Sequence, residues 1–171
     1  KVLEQADDTT KLELLHDKLA QNTATMQRQL AFFNCELEIH ETIHAQGAMT
    51  NSELAACMEK HLRSYLGPAV NVTPEDGYSY VYVPHLRYGF YVYTYCFGLL
   101  MSTQMAHNYL QDPTYIDAID RFLSLGESDT VANIFKTIGL NPEREATFSD
   151  ALSSYRHDVA QFEQLVKQKQ R

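Results

Sequence analysis

From Thr9 or Thr10, residues suited to an N-cap, to Gly47, a natural helix stop, the sequence carries one long helical pattern. Its apolar seam is Leu12, Leu15, Leu19, Met26, Leu30, Phe33 and Leu37, at steps mostly of three and four, and continues through His40 and His44. At 1.5 Å per residue an unbroken helix of this length would reach roughly 55 Å. A compact chain of this size has a diameter of only about 40 Å. Either the tract Asn22-Thr23-Ala24-Thr25 breaks the helix, or the seam outruns its own domain and packs on segments beyond this sequence.

The rest of the chain is also helical in pattern. Thr50-Asn51-Ser52-Glu53 is a capping-box pattern opening a second helix through Leu54, Met58, Leu62 and Leu66, and Gly67-Pro68 ends it. Residues 67–81 hold the turn signal Pro74-Glu75-Asp76-Gly77, then the alternating Tyr78-Ser79-Tyr80-Val81-Tyr82-Val83. That alternation permits a short strand, but an ordered loop is expected. Beyond it come a tyrosine-rich helix to about Gln111 and a helix capped by Asp112-Pro113. A short helix over 128–138 succeeds it, then a last one striped by Phe148, Leu152, Tyr155, Val159, Phe162 and Val166. The fold class is all-α, and residues 1–171 are expected to form a single helical domain.

The net charge of −8, with acids and bases interspersed, argues against a nucleic-acid or anionic-membrane surface. Cys35, Cys57 and Cys96 are odd in number and lie in apolar helical surroundings. They read as buried thiols of a reducing, cytoplasmic compartment. The chain opens on Lys1, not Met, and its start looks cut from something longer.

The chemistry concentrates in Tyr82-Val83-Pro84-His85-Leu86-Arg87-Tyr88-Gly89-Phe90-Tyr91-Val92-Tyr93-Thr94-Tyr95. Pro84 biases Val83 towards extended geometry, so His85 is approached by a loop. Past Gly89 a helix is expected, with Tyr88, Tyr91 and Tyr95 on one face and Tyr93 on another. Phenols in such number imply a polar cleft or a dense hydrogen-bond network. An amphipathic core helix with satisfied tyrosines is the plainer alternative.

The run Pro84-His85, Tyr88, Phe90-Tyr91-Val92-Tyr93 and Tyr95, followed by Gly98, resembles the C-terminal part of the oligoendopeptidase F family, zinc peptidases related to thimet oligopeptidase. Arg28-Gln29, Phe32, Glu36 and His40 match a second family stretch in register, and Tyr65-Leu66-Gly67, Phe122 to Gly126, Ile138-Gly139-Leu140 and Phe148 to Leu152 follow in order. Tyr80 stands where relatives often have tryptophan. Cys35, Arg87, Cys96 and Phe97 depart from the pattern. The resemblance implies the multi-helix C-terminal portion of a larger zincin-type helical peptidase, with one ordered Tyr/His-rich loop. It implies His85, Tyr93 and Tyr88 as catalytic hydrogen-bond donors, and His85, Arg87, Tyr88, Gly89 and Tyr91 as substrate-binding groups. Zinc is then expected in the intact parent, held by ligands that precede residue 1, and no metal is expected in this chain. The expected partners are an oligopeptide substrate and the remainder of the same peptidase chain, with no nucleic acid and no membrane. The chain alone is expected to be inactive.

His40-Glu41-Thr42-Ile43-His44 fits the His-Glu-x-x-His zinc signature, in which two histidines one turn apart ligate zinc and the glutamate activates water. In the resemblance, however, this segment lies downstream of the metal helix, and His44 matches no family position. His40 and His44 are therefore expected to be interior or packing residues. Two alternatives stay open: a free-standing metalloprotein using His40, Glu41 and His44, and a non-enzymatic helical module that binds peptides.

Overall fold

The computed structural model describes residues 5–170. The sequence suggests a link or helix tail over residues 1–8 and a basic helix end from Lys167 to Arg171; of these, residues 1–4 and residue 171 lie outside the described residues. All the regular structure of the described chain is helical, and no strand occurs among these residues. In order the α-helices are α1 (Asp8–Thr25), α2 (Gln27–Gln46), α3 (Asn51–Leu66), α4 (Tyr93–Gln111), α5 (Ile116–Leu125), α6 (Val131–Lys136) and α7 (Glu145–Lys169). Short 3₁₀ segments occupy Pro74–Tyr82, Pro84–Arg87 and Pro113–Tyr115. The chain groups into two compact units, residues 20–97 and residues 1–19 with 98–171.

The long first helix is interrupted at Met26, one residue beyond the tract suspected from sequence. The break is slight: the Met26 N–H still bonds the Asn22 carbonyl at 2.8 Å, and the Met26 carbonyl accepts from Leu30 at 2.9 Å. Two β-branched threonines, Thr23 and Thr25, crowd the turn before it.

In the unit of residues 20–97, α2 and α3 pack together, the 3₁₀ segment Pro74–Tyr82 covers α3, and Pro84–Arg87 lies against α2. The core is Phe32, Cys35, Cys57, Met58, Leu62, Val72 and Val92. The seam of α2 therefore runs through Phe32, Cys35, Glu36 and Ile39, rotated from the expected one. Leu30 and Leu37 are exposed instead, about as much as Ile43. Apolar residues lie on most sides of this helix, so periodicity alone could not select the face; the α3 partners Cys57, Met58 and Leu62 do.

α3 starts as its sequence demands, with the Thr50 hydroxyl accepting from the Glu53 N–H at 3.3 Å and Glu53 accepting from the Thr50 N–H at 2.7 Å. The alternation over 78–83 forms neither a strand nor a plain loop. Its working period is three: Gly77 is buried, and Tyr80, Val83 and Leu86 pack on the core at steps of three, the period of a 3₁₀-helix. Gly77 is required there. A β-carbon would collide with the backbone carbonyl of Ala55.

In the other unit the buried set includes Leu15, Leu100, Met101, Ile134, Phe135, Ile138 and Leu140, with Ala151, Tyr155 and Leu165 from α7. The stripe of α7 is rotated from expectation, leaving Val159 exposed and burying Asp158, whose carboxylate forms a 2.7 Å ion pair with Lys18 of α1. Two tyrosine hydroxyls fasten the helices: Tyr155 bonds the Thr103 hydroxyl at 2.7 Å, and Tyr115 donates to the Ile138 carbonyl at 2.8 Å. No helix among the described residues is long and apolar enough to cross a membrane.

Candidate functional site

Pro84 opens the short 3₁₀ turn that carries His85, and residues 88–92 form an irregular turn before α4 begins at Tyr93. The helix thus starts later than the sequence predicts. Tyr88 and Tyr91 sit in the turn, not on a helix face. They still converge with Tyr95, because all three gather on the His85 imidazole. Tyr91 stacks on it at 5.7 Å between centroids and 11° between planes, and Tyr88 and Tyr95 meet it edge-on at 6.1 and 5.6 Å. The Tyr95 hydroxyl lies 3.0 Å from His85 Nε2. Partial burial, with Tyr91 beside it, pushes the Tyr95 phenol above its ordinary range, so it remains a protonated donor at neutral pH. With Nε2 engaged by that phenol, the imidazole nitrogen left for another partner is Nδ1.

The turn is held by a strained backbone. Gly89 and Phe90 both lie in the left-handed region, at φ of 58° and 60°. Gly89 adopts this at little steric cost, whereas a bulky residue such as Phe90 loses about 1–2 kcal/mol there. The compensation is specific. The Phe90 N–H donates to Glu36 Oε1 at 2.7 Å, and the Glu36 side chain is buried to 2 % exposure. A net hydrogen bond contributes about 0.5–1.5 kcal/mol, an amount on the scale of the strain. The Phe90 ring is also clasped by His40 at 4.9 Å and by Phe33 at 5.7 Å. Glu36 Oε2 is buried with no partner, so the carboxylate serves the turn through one oxygen.

Of the residues singled out in the sequence, the structure brings His85, Tyr88 and Tyr91 together. Tyr93 stands apart from them, its ring edge-on to Phe33 at 6.2 Å and its side chain half exposed. Arg87 is exposed and donates to the Val81 carbonyl at 3.1 Å, tying its own turn to the preceding segment. Tyr88 is exposed, and open space surrounds Gly89. Tyr95 and Glu36 are the groups whose importance the sequence hid. Tyr95 looked like helix packing, and Glu36 gave only a family match without a role; 54 residues separate Glu36 from the amide it holds.

The His40-Glu41-His44 segment lies on α2 with all three side chains exposed. Neither histidine is interior; His40 packs on Phe90, one of the two expected roles, whereas His44 is exposed. These three gather no further ligand: among the described residues the one group of three or more metal-ligating side chains is Glu38, Cys57 and His61.

Comparison with known proteins supplies the wider frame. Residues 3–154 match peptidase family M3. The plasmid oligoendopeptidase F of Lactococcus lactis subsp. cremoris is 26% identical over 169 residues, covering 96% of this chain but 28% of the relative. Oligopeptidase PepF of Bacillus subtilis is 24% identical over 163 residues, 94% of this chain and 24% of its own length. The crystal structure of oligoendopeptidase-F from Enterococcus faecium superposes with a TM-score of 0.88 at 25% identity, over 96% of this chain and 32% of that one. The chain therefore spans less than a third of these relatives. It belongs to peptidase family M3, as a helical region of the oligoendopeptidase F type.

Proposed function

We propose that this chain provides the substrate-binding face of a peptidase that hydrolyses short peptides, with His85 as the central hydrogen-bond donor. The observation that carries the reading is the 3.0 Å contact between the Tyr95 hydroxyl and His85 Nε2, made in a half-exposed turn. When Tyr95 donates to Nε2, the imidazole is fixed as the neutral tautomer with its proton on Nδ1. That N–H is then available to a peptide carbonyl or to the oxyanion that develops on it. Tyr91 stacks on the imidazole and limits its rotation. Tyr88 and Tyr93, both exposed phenols, are the further donors of this reading, with Tyr88 next to Gly89, which gives the turn freedom to close. Arg87 and Gly89 shape the same turn and complete the peptide-binding set.

The catalytic zinc of the parent, its peptidase activity, its oligopeptide substrate and its cytoplasmic location belong to the same proposal. The chain by itself is expected not to hydrolyse peptides, because its His-Glu-x-x-His segment gathers no third ligand among the described residues. The exposed Leu30, Leu37 and Ile43 are proposed to face the remainder of the parent chain.

Steady-state kinetics of the intact parent on an internally quenched oligopeptide provide the test. His85→Ala should lower kcat by about 10²–10³ with a smaller change in KM, the loss expected for one oxyanion donor. A His85→Ala enzyme with wild-type kcat would refute the assignment.

A further inference from the structure

A second constellation lies where α2 packs on α3 in the unit formed by residues 20–97, running from the buried thiols out to a half-exposed carboxylate. Cys35 and Glu38 are three residues apart on α2, and Cys57 and His61 are four apart on α3, the two spacings that place side chains on one helix face. Packing of the two helices brings the pairs together. The Cys35 and Cys57 sulfurs lie 3.6 Å apart, both buried, and His61 Nε2 lies 2.7 Å from Glu38 Oε2. Ligand atoms of Glu38, Cys57 and His61 fall within 4.8 Å of one another; Cys35 Sγ touches Cys57 but stands outside that group, so it has to close on the other two to become a fourth ligand. Lys60 caps the outer side, its ammonium 2.6 Å from Glu38 Oε2.

We propose that Cys35, Cys57, His61 and Glu38 form a tetrahedral binding site for a thiophilic divalent cation of the zinc class. The sulfur spacing is the first reason. Zinc–sulfur bonds of about 2.3 Å set the edge of a tetrahedron near 3.8 Å, close to the separation already present. A disulfide would instead require the sulfurs to close to about 2.0 Å and an oxidant to take two electrons. The second reason is the donor set, two thiols, an imidazole and a carboxylate from two facing helices, which suits zinc and excludes magnesium or calcium. The imidazole–carboxylate hydrogen bond has to open by about 0.7 Å to the edge length that zinc–nitrogen and zinc–oxygen bonds impose.

Charge also favours this reading. On binding, the cation takes the place of the thiol protons, which leave to solvent. Two thiolates and one carboxylate against a divalent ion leave one negative charge, and Lys60 stands where it offsets that charge. The residues of this site are not those of the His85 cluster, and the inference stands whether or not the peptide-binding proposal does.

The test is optical titration of the full chain, reduced and under argon, with cobalt(II) chloride followed by a zinc chloride chase. One cobalt per chain is expected, with a thiolate-to-cobalt charge-transfer band in the near ultraviolet that zinc abolishes. Cys57→Ser should remove the band, His61→Gln should weaken binding roughly tenfold or more, and His44→Ala should leave both unchanged. Circular dichroism confirms that each variant folds, and the wild-type spectrum is decisive even where one does not. Absence of the charge-transfer band in the wild-type chain would overturn the proposal. So would cobalt binding that survives Cys57→Ser but is lost in His44→Ala.

Discussion

The two side-chain clusters of residues 20–97 are built in opposite ways. Cys35, Glu38, Cys57 and His61 project from paired regular helices at spacings of three and four, and their geometry follows from the helices alone. His85, Tyr88, Tyr91 and Tyr95 are carried by a 3₁₀ turn, two left-handed residues and the first turn of α4. Helix-borne groups need no special support. The loop-borne set depends on contacts far away in sequence, above all on a buried carboxylate holding one amide N–H. An arrangement fixed by two paired helices suits permanent occupancy by an ion. An exposed cluster on strained backbone suits a ligand that arrives and leaves.

That contrast can be broken in graded steps. The largest effect is expected for Gly77→Ala. Its β-carbon would meet the Ala55 carbonyl, and backbone cannot swing aside, so the 3₁₀ segment must lift from α3. Overpacking of this kind costs about 3 kcal/mol or more, which thermal unfolding would register as a fall in Tm of roughly 10 °C. A Tm within about 2 °C of wild type, roughly half a kcal/mol, would show that the segment does not lean on α3 as described.

Glu36→Ala comes next. It strands the Phe90 N–H and leaves a left-handed phenylalanine without its compensation, for a loss of about 2 kcal/mol. Hydrogen exchange should quicken over residues 88–92 but not over α3, and Glu36→Gln, which keeps an acceptor, should lose less. Equal protection in wild type and Glu36→Ala would remove the carboxylate from its structural role.

Tyr95→Phe is expected to cost about 1 kcal/mol of stability, the value of one hydrogen bond. In the parent it should lower kcat by roughly tenfold, because His85 loses the group that fixes its tautomer. A larger kinetic loss than that of His85→Ala would reverse the assigned order of the two.

The smallest effect concerns acid. Glu53 and Asp76 are held below their ordinary pKa, each first by a backbone N–H at its helix start, Thr50 and Thr73 respectively. A carboxylate with a lowered folded pKa contributes stability that is full above its unfolded value, near about 4. That contribution disappears as the pH falls through the lower folded value. Tm should therefore drop below about pH 4, and the drop should shrink in Asp76→Asn. An unchanged acid limb in that variant would contradict the capping role.

Much of this molecule was legible in its sequence. The capping box of α3 and the stop at Gly47 arise from local chemistry that short spacings reveal, whereas the tyrosines converge on His85 through a turn and not on the helix face their spacing suggested. The exposed Leu30 and Leu37 show where legibility ended. α2 carries apolar residues on several faces, and the face chosen depends on Met58 and Leu62, which no helical period within α2 encodes. The 3₁₀ stripe Gly77-Tyr80-Val83-Leu86 was hidden for another reason: tyrosine and valine alternate in the same stretch and imitate the period of a strand. The cysteine pair was invisible because 22 residues separate two thiols that helix packing brings together. Glu36 and Phe90 meet across a still greater separation, and only the positive φ of Phe90 marks why the bond matters.

The central claim is that His85 faces the peptide through Nδ1 while Tyr95 holds Nε2. Imidazole ¹⁵N spectra of the chain, recorded as a short peptide is added, test it most directly. The free His85 ring should be the neutral tautomer protonated at Nδ1, and its Nδ1 signal should shift with peptide while those of His61 and His44 stay in place. A His85 ring protonated at Nε2, or one that stays unmoved while peptide shifts the other histidines, would contradict it.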